Sequence, residues 1–249
     1  MSRYPRKRSV SGIYHVMLKG IDGRDIFLEN YDKIKFMRGI KKAKDIGEFK
    51  LFGYCLMDNH VHLLIEEGEA IGTSIKRMTI GYVLWHNNKY GRTGHLFQNR
   101  YASEPVETEG YFMSVLRYIH LNPLKAGIVK HPANYNWSSY SDYISSYNGV
   151  KTVTDVQLIK LYLKQQEDFE GYMNIRNYDI SLKYNCPLKY SDNSLKKLID
   201  HEYYTNFAGI SRESRNKIIK EIYQETGASI RQLGRVLGLG KTIIEKAVK

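Results

Sequence analysis

One run of twelve residues, Tyr54-Cys55-Leu56-Met57-Asp58-Asn59-His60-Val61-His62-Leu63-Leu64-Ile65, sets the terms for the rest of the chain. Its apolar residues are strand formers, and side chains on a strand alternate between two faces. Val61, Leu63 and Ile65 therefore share one face and can enter a core. His60, His62 and Leu64 share the other. Two imidazoles spaced two residues apart can bind one divalent metal ion. A His-x-His tripeptide is common by chance, however, and taken alone it reads first as a hydrogen-bonded pair on a sheet surface. Its meaning depends on its neighbours.

Those neighbours follow an order. Ile13 to Lys19 alternates as a strand, with Tyr14, Val16 and Leu18 against His15 and Met17. Tyr31 to Ile46 has helical spacing, with Asn30 as its expected cap and Gly47 as its stop. Phe49 to Met57 is a second strand, and Asp58-Asn59 turns it into a strand over His60–Glu66. Ile71 to Tyr90 is a second amphipathic helix. A polar loop over Gly94–Arg100, a short strand over Tyr101–Val106 and a third helix over Glu109–Asn122 follow. Pro123 is expected to end that helix, because the residue before proline disfavours helical geometry. The order is that of an α+β, ferredoxin-like (split βαβ) antiparallel sheet with helices on one face. The histidine pair then belongs on the open face.

In the third helix, Phe112, Val115, Leu116 and Ile119 form an apolar stripe suited to a sheet. Tyr111, Tyr118 and Asn122 fall on a neighbouring side, and Tyr118 and Asn122 are one turn apart, so their side chains meet. A phenol brought against a two-imidazole metal site can attack a phosphorus whose oxygen the metal polarises. Asn122 can add its carbonyl oxygen to the metal shell. A free tyrosine ionises near pH ~10, so the cation would have to lie close by. On this helix alone, a rim tyrosine and a polar C-terminal residue remain the simpler reading.

Charge narrows the partner. The 249 residues carry 38 Lys and Arg against 26 Asp and Glu, a net charge of +12. Such an excess favours a polyanion, nucleic acid first and an anionic membrane surface second. The 21 tyrosines suit contact with unpaired bases, although most will be core-rim residues. Arg3, Arg6, Lys7 and Arg8 form a basic arm, for phosphate or for solvent. Cys55 and Cys186 lie too far apart for a metal or redox motif and are expected reduced. No apolar run reaches membrane-spanning length, and no apolar core follows the basic N-terminus, which points to a cytoplasmic, nucleoid-associated protein with no membrane partner.

Together these blocks resemble a family. The histidine strand is similar to that of the HUH-type single-tyrosine transposases of small insertion sequences. Tyr14-His15-Val16, Gly94 to Arg100, Arg117-Tyr118-Ile119-His120-Leu121-Asn122-Pro123 and Trp137-Ser138-Ser139-Tyr140 resemble the branch called REP-associated tyrosine transposases. The match spans roughly residues 3 to 145. The resemblance implies a metal-dependent endonuclease and strand transferase on single-stranded, hairpin-bearing DNA. It implies Mg²⁺ or Mn²⁺ on His60 and His62, and Tyr118 as a nucleophile that becomes joined to the DNA 5′-phosphate. Relatives often carry Gln one turn after the tyrosine, where this chain has Asn122. His120 lies on another side of the helix and is not assigned as a ligand. His95, Gln98 and Arg100 are expected either to touch the DNA backbone or to structure their loop. Related proteins pair two chains, whereas the long extension here would let one chain act alone. Two other readings stay open: a regulatory DNA-binding protein that has lost cleavage, and a metal-dependent hydrolase using activated water.

Composition shifts after Tyr147-Asn148-Gly149, which suggests a transposase/nuclease domain over 1–149 and a helical domain over 150–249. Thr154 to Tyr172 is expected helical, and Asn174 to Asn193 irregular. Ser211–Thr226, Ser229–Leu237 and Lys241–Lys249 are expected helices, the last two joined by Gly238-Leu239-Gly240. This end resembles a helix-turn-helix, with Lys241 and Lys246 on the helix that would face a major groove. A generic three-helix bundle packed on the first domain is the plainer alternative.

Overall fold

The computed structural model describes residues 6–98, 100–175, 190–203, 207 and 210–248. Four strands, β1 (Ile13–Lys19), β2 (Lys50–Met57), β3 (His60–Glu66) and β4 (Ala102–Pro105), form one sheet in the order β2-β3-β1-β4 with every pair antiparallel. This is the split βαβ order expected from the sequence. Helices α1 (Asn30–Gly47) and α2 (Ile71–Lys89) cover the face that carries Val61, Leu63 and Ile65. A bulge at Leu51/Gly53 resets the alternation of β2, so Leu51 and Tyr54, three apart, both enter that core.

The opposite face is not open. Helix α3 (Glu109–Lys125) lies across it, with Phe112, Val115, Leu116 and Ile119 against Phe52, Cys55 and Leu64. The expectation of helices on one face holds for α1 and α2 but not for α3, whose apolar stripe needs a sheet of its own to cover. Gly53 permits the approach: a Cβ there would stand 2.7 Å from Leu116 Cδ1. Trp137 and Ser139 bond along the free edge of β2 (Leu56 N to Trp137 O 2.8 Å, Ser139 N to Tyr54 O 2.9 Å), so that edge is covered.

Two local expectations change. The cap of α1 is Glu29, which forms a capping box with Asp32. Asn30 Oδ1 instead accepts a bond from Trp137 Nε1 at 3.1 Å. Pro123 does not end α3. It sits in the last turn, where a missing N–H costs one bond, and the helix runs on to Lys125 before Gly127 turns the chain at φ +69°.

The expected boundary at 149 does not coincide with a change of core. After α4 (Tyr140–Tyr147), helices α5 (Gln157–Tyr162) and α6 (Gln166–Asn174) bury Ile159, Phe169 and Met173 in the same cluster as α3. A separate core begins beyond the undescribed residues 176–189, in α7 (Asp192–Glu202), α8 (Arg212–Thr226), α9 (Ile230–Leu237) and α10 (Lys241–Val248), around Leu195, Ile199, Ile219, Ile222, Leu233 and Ile244. Ser211 and Ser229 cap α8 and α9 as their sequence suggests, and Gly227 and Gly238 end them in left-handed conformation. Arg3, Asn99, Cys186, Lys249 and most of the expected irregular stretch lie outside the described residues. Among the described residues no helix is long and apolar enough to cross a membrane.

Candidate metal and tyrosine site

The strand alternation that sends Val61 and Leu63 into one core sends His60 and His62 under α3. Their rings meet edge to face, with centroids 5.0 Å apart. The ring of Tyr118 stands edge to face on His62 at 5.5 Å, so residues from two distant segments do converge. Asn122, one turn after Tyr118, lies close enough to His60 to act on its ionisation, and its Nδ2 donates to the Tyr118 carbonyl at 2.9 Å.

Hydrogen bonding fixes which nitrogen His60 offers. Asn59 is 2% exposed, and its Nδ2 donates to two carbonyls, Gly23 O at 3.5 Å and Tyr190 O at 3.3 Å. Carbonyls only accept, so the other end of this amide, Oδ1, is an acceptor facing His60 Nδ1 at 2.6 Å. His60 therefore carries its proton on Nδ1 and a lone pair on Nε2. His62 Nδ1 lies 2.9 Å from His15 Nε2, with the two rings stacked. Both His60 Nε2 and His62 Nε2 are buried and have no protein partner. Two such orphaned nitrogens are costly unless something binds them, and a divalent cation fits them.

Electrostatics favours the same form. Burial lowers His60 to about 4, with Lys19 adding to the effect. Burial also lowers His15 to about 4 and drives His62 well below its ordinary value, with the neighbouring imidazoles and Lys125 contributing. All three rings are thus neutral at pH 7, as metal ligation requires. Among the described residues no group of three His, Cys, Asp or Glu is placed to share an ion. Asn122 lies beside His60, and its Oδ1 is the oxygen its side chain could add to such a site.

Sequence reasoning passed over four participants. His15 is the diagonal neighbour of His62 across β1 and β3 and was visible only as a member of a motif block. Asn59 looked like a turn residue. Lys125 has its ammonium 4.5 Å from the centre of the Tyr118 ring; its i+7 spacing was hidden by the expected stop at Pro123. Lys19 faces His60 in the strand register. The other expected DNA contacts are dispersed. Arg6 stacks on Tyr101 at 3.7 Å and donates to its carbonyl, while Lys7, Arg8, His95, Gln98 and Arg100 are exposed. Lys241 and Lys246 are exposed on α10. His120 is turned away, with Nε2 2.7 Å from Ser139 Oγ and Nδ1 3.4 Å from Met173 Sδ.

Comparison with known proteins gives two likenesses. Residues 9–122 match the family described as Transposase IS200 like. That stretch is a little under half of the chain. It contains β1 to β4, His60, His62, Tyr118 and Asn122, and it ends within α3. A solved structure of a REP-associated tyrosine transposase bound to a REP hairpin shares the fold with a TM-score of 0.51. It is 18% identical and covers 61% of this chain and 90% of its own. No curated protein matches. The likeness to the solved structure is one of fold, and the matched stretch carries the histidine strand and the tyrosine helix together.

Proposed function

We propose that this protein is a metal-dependent endonuclease and strand transferase that cuts single-stranded DNA next to a hairpin through a phosphotyrosine intermediate. The observation that carries the reading is the pair of buried, unpartnered Nε2 atoms of His60 and His62 beneath the helix that bears Tyr118. His60, His62 and the Asn122 carbonyl would hold Mg²⁺ or Mn²⁺. When bound, such an ion polarises a phosphoryl oxygen as a Lewis acid.

The residues of the chain do the rest. Tyr118 Oη attacks the phosphorus, the new O–P bond replaces the bond to the 3′-oxygen, and the phenolic proton is balanced by the proton the departing 3′-hydroxyl acquires from water. The 5′-phosphate stays on Tyr118. The Lys125 ammonium lies 4.5 Å from the centre of the Tyr118 ring, beside the group that attacks. The covering of the histidine face by α3 keeps the imidazoles neutral, while His15 and Asn59 hold their orientations. Basic side chains outside this centre supply DNA affinity.

The test is incubation with a hairpin-bearing single strand, labelled on the 5′-phosphate side of the cut, in Mn²⁺. A covalent adduct that survives denaturation is expected, and Tyr118→Phe should abolish both adduct and cleavage. Normal cleavage by Tyr118→Phe would remove the nucleophile assignment. Cleavage by the unaltered protein without any adduct would favour activated water.

A further inference from the structure

A seam runs between the matched stretch and the α9–α10 pair, away from the histidines but joined to them. One cavity of about 440 Å³ opens between Lys19, Gln98 and the starts of α9 and α10. A second, of about 290 Å³, shares Asp22, Arg231 and Lys241 with it and continues past Arg24 and Arg235. The first begins at Lys19, the register partner of His60 across β1 and β3. The second ends at the turn before α10.

The seam is cationic. Lys19, Arg24, Arg231, Arg235 and Lys241 line it, against the single acid Asp22. Arg235 is committed to the junction: it forms a two-pronged pair with Asp192 (2.8 and 3.0 Å) and donates to the Asp22 carbonyl at 2.9 Å. Arg231 pairs with Asp22 at 2.7 Å, but the two side chains are 64% and 36% exposed, so the pair is weakly held. Lys241 meets Glu245 at 3.2 Å with similar exposure. Lys19 and Arg24 form no ion pair among the described residues. Lys19 and Arg24, with no described acid paired to them, together with the exposed and weakly paired Arg231 and Lys241, suit a chain of phosphates.

We propose that this seam is a track for single-stranded DNA, holding the phosphates of the strand that leads from the reacting centre to the α9–α10 turn. The proposal rests on the single-strand transposase reading above. In it, Lys241 contacts the same strand that Tyr118 cuts, and not a separate duplex. Two parts of the chain, one inside and one outside the IS200-like segment, then grip one substrate at a fixed spacing.

The experiment uses the full-length protein and a series of substrates with the same stem and cut site, the single-stranded arm lengthened stepwise. Affinity of the unaltered protein should rise with arm length and then level off. Arg24→Glu combined with Lys241→Glu, two exposed positions, should remove that gain, about tenfold or more at 0.1 M salt, and lower the salt slope by ~0.7 for each phosphate no longer neutralised. An unchanged melting temperature shows that the variant is folded. Retention of the full arm-length gain by the variant would overturn the track, as would a fall in affinity that is equal for every arm length or confined to the stem. Adduct formation by the unaltered protein on the shortest substrate is read separately, so failure of the tyrosine chemistry and failure of the track give different patterns.

Discussion

His62 and His120 are alike in burial and unlike in what burial does. Both are fully buried, and both have ionisation pushed far down by desolvation. His120 has each nitrogen facing a partner, Ser139 Oγ and Met173 Sδ, and its ring lies among Tyr140, Tyr143 and Phe169. Ser139 Oγ in turn accepts the Tyr54 N–H at 2.9 Å, so His120 closes a network tying α3 to β2. His62 has one nitrogen tied to His15 and leaves the other bare, beside a second bare nitrogen on His60. A neutral histidine with every nitrogen used is architecture; in the proposed reading, one with a bare buried nitrogen beside another bare nitrogen serves as a ligand. His86 shows why the second imidazole matters. Its ring nitrogens also lack hydrogen-bond partners, but it lies on α2 between Tyr82 and Tyr90, and among the described residues no other imidazole is in ring contact with it.

The most direct way to break this contrast is to truncate both rings. His62→Ala should lower metal-stimulated cleavage by roughly 10³-fold or more while leaving DNA affinity within a few-fold, since affinity resides in the basic residues. His120→Ala should do the reverse: cleavage by the folded fraction stays near normal, and stability falls by about 2–4 kcal/mol from the missing hydrogen bond and the cavity left behind. Single-turnover cleavage and denaturant melts on the two variants decide it. Equal catalytic losses would erase the distinction.

A subtler variant sharpens it. Asn59 holds the proton of His60 on Nδ1, which leaves Nε2 for the proposed metal, and it is itself held by Gly23 and by Tyr190 at the start of the C-terminal helices. The same junction includes Asp25, whose carboxylate accepts the N–H groups of Asp192 and Asn193 at 3.3 Å. Asn59→Ala should weaken Mn²⁺ binding about 10- to 100-fold, as loss of a partner behind a metal ligand generally does. Mn²⁺ titration followed by electron paramagnetic resonance, without DNA, reads this apart from cleavage. An unaltered Mn²⁺ affinity would leave Asn59 a turn residue and nothing more.

The contrast also shows where sequence reasoning reaches and where it stops. Strand period alone placed His60 and His62 on one face, and helix period alone put Tyr118 beside Asn122. Both are local rules, and both strands and α3 formed close to their expected limits. The covering of the histidine face by α3 was not legible, because the ferredoxin-like order specifies only the two crossover helices. His15 and Lys125 join the site through strand pairing and helix continuation, which no short window contains. Pro123 misled because a proline in the last turn, on a helix held by a sheet, costs too little to stop it. The composition break at 149 misled for a similar reason: α5 and α6 look like a new segment but complete the core of the old one.

The smallest effect concerns pH, and it separates the two histidines from the rest of the acid response. A buried neutral histidine takes up a proton more readily when unfolded, near pH 6.5, than when folded. Folding stability therefore falls as pH drops below 6.5 and continues to fall until the folded pKa is reached, about 4 for His15 and His60 and about 3 for His120. Each such ring contributes a slope of about 1.4 kcal/mol per pH unit within that window. Asp25 works in the opposite sense. Burial, with Asp58 and Asp192 nearby, raises it to about 7, so its contribution shrinks as pH rises from about 4 to 7 and partly masks the histidines. His120→Gln should thus flatten the stability profile between pH 6.5 and 4.5 by one histidine's slope, whereas Asp25→Asn should steepen it. Denaturant midpoints of the metal-free protein across that range test both signs, and a His120→Gln profile parallel to that of the unaltered protein would mean that His120 is protonated in the folded state.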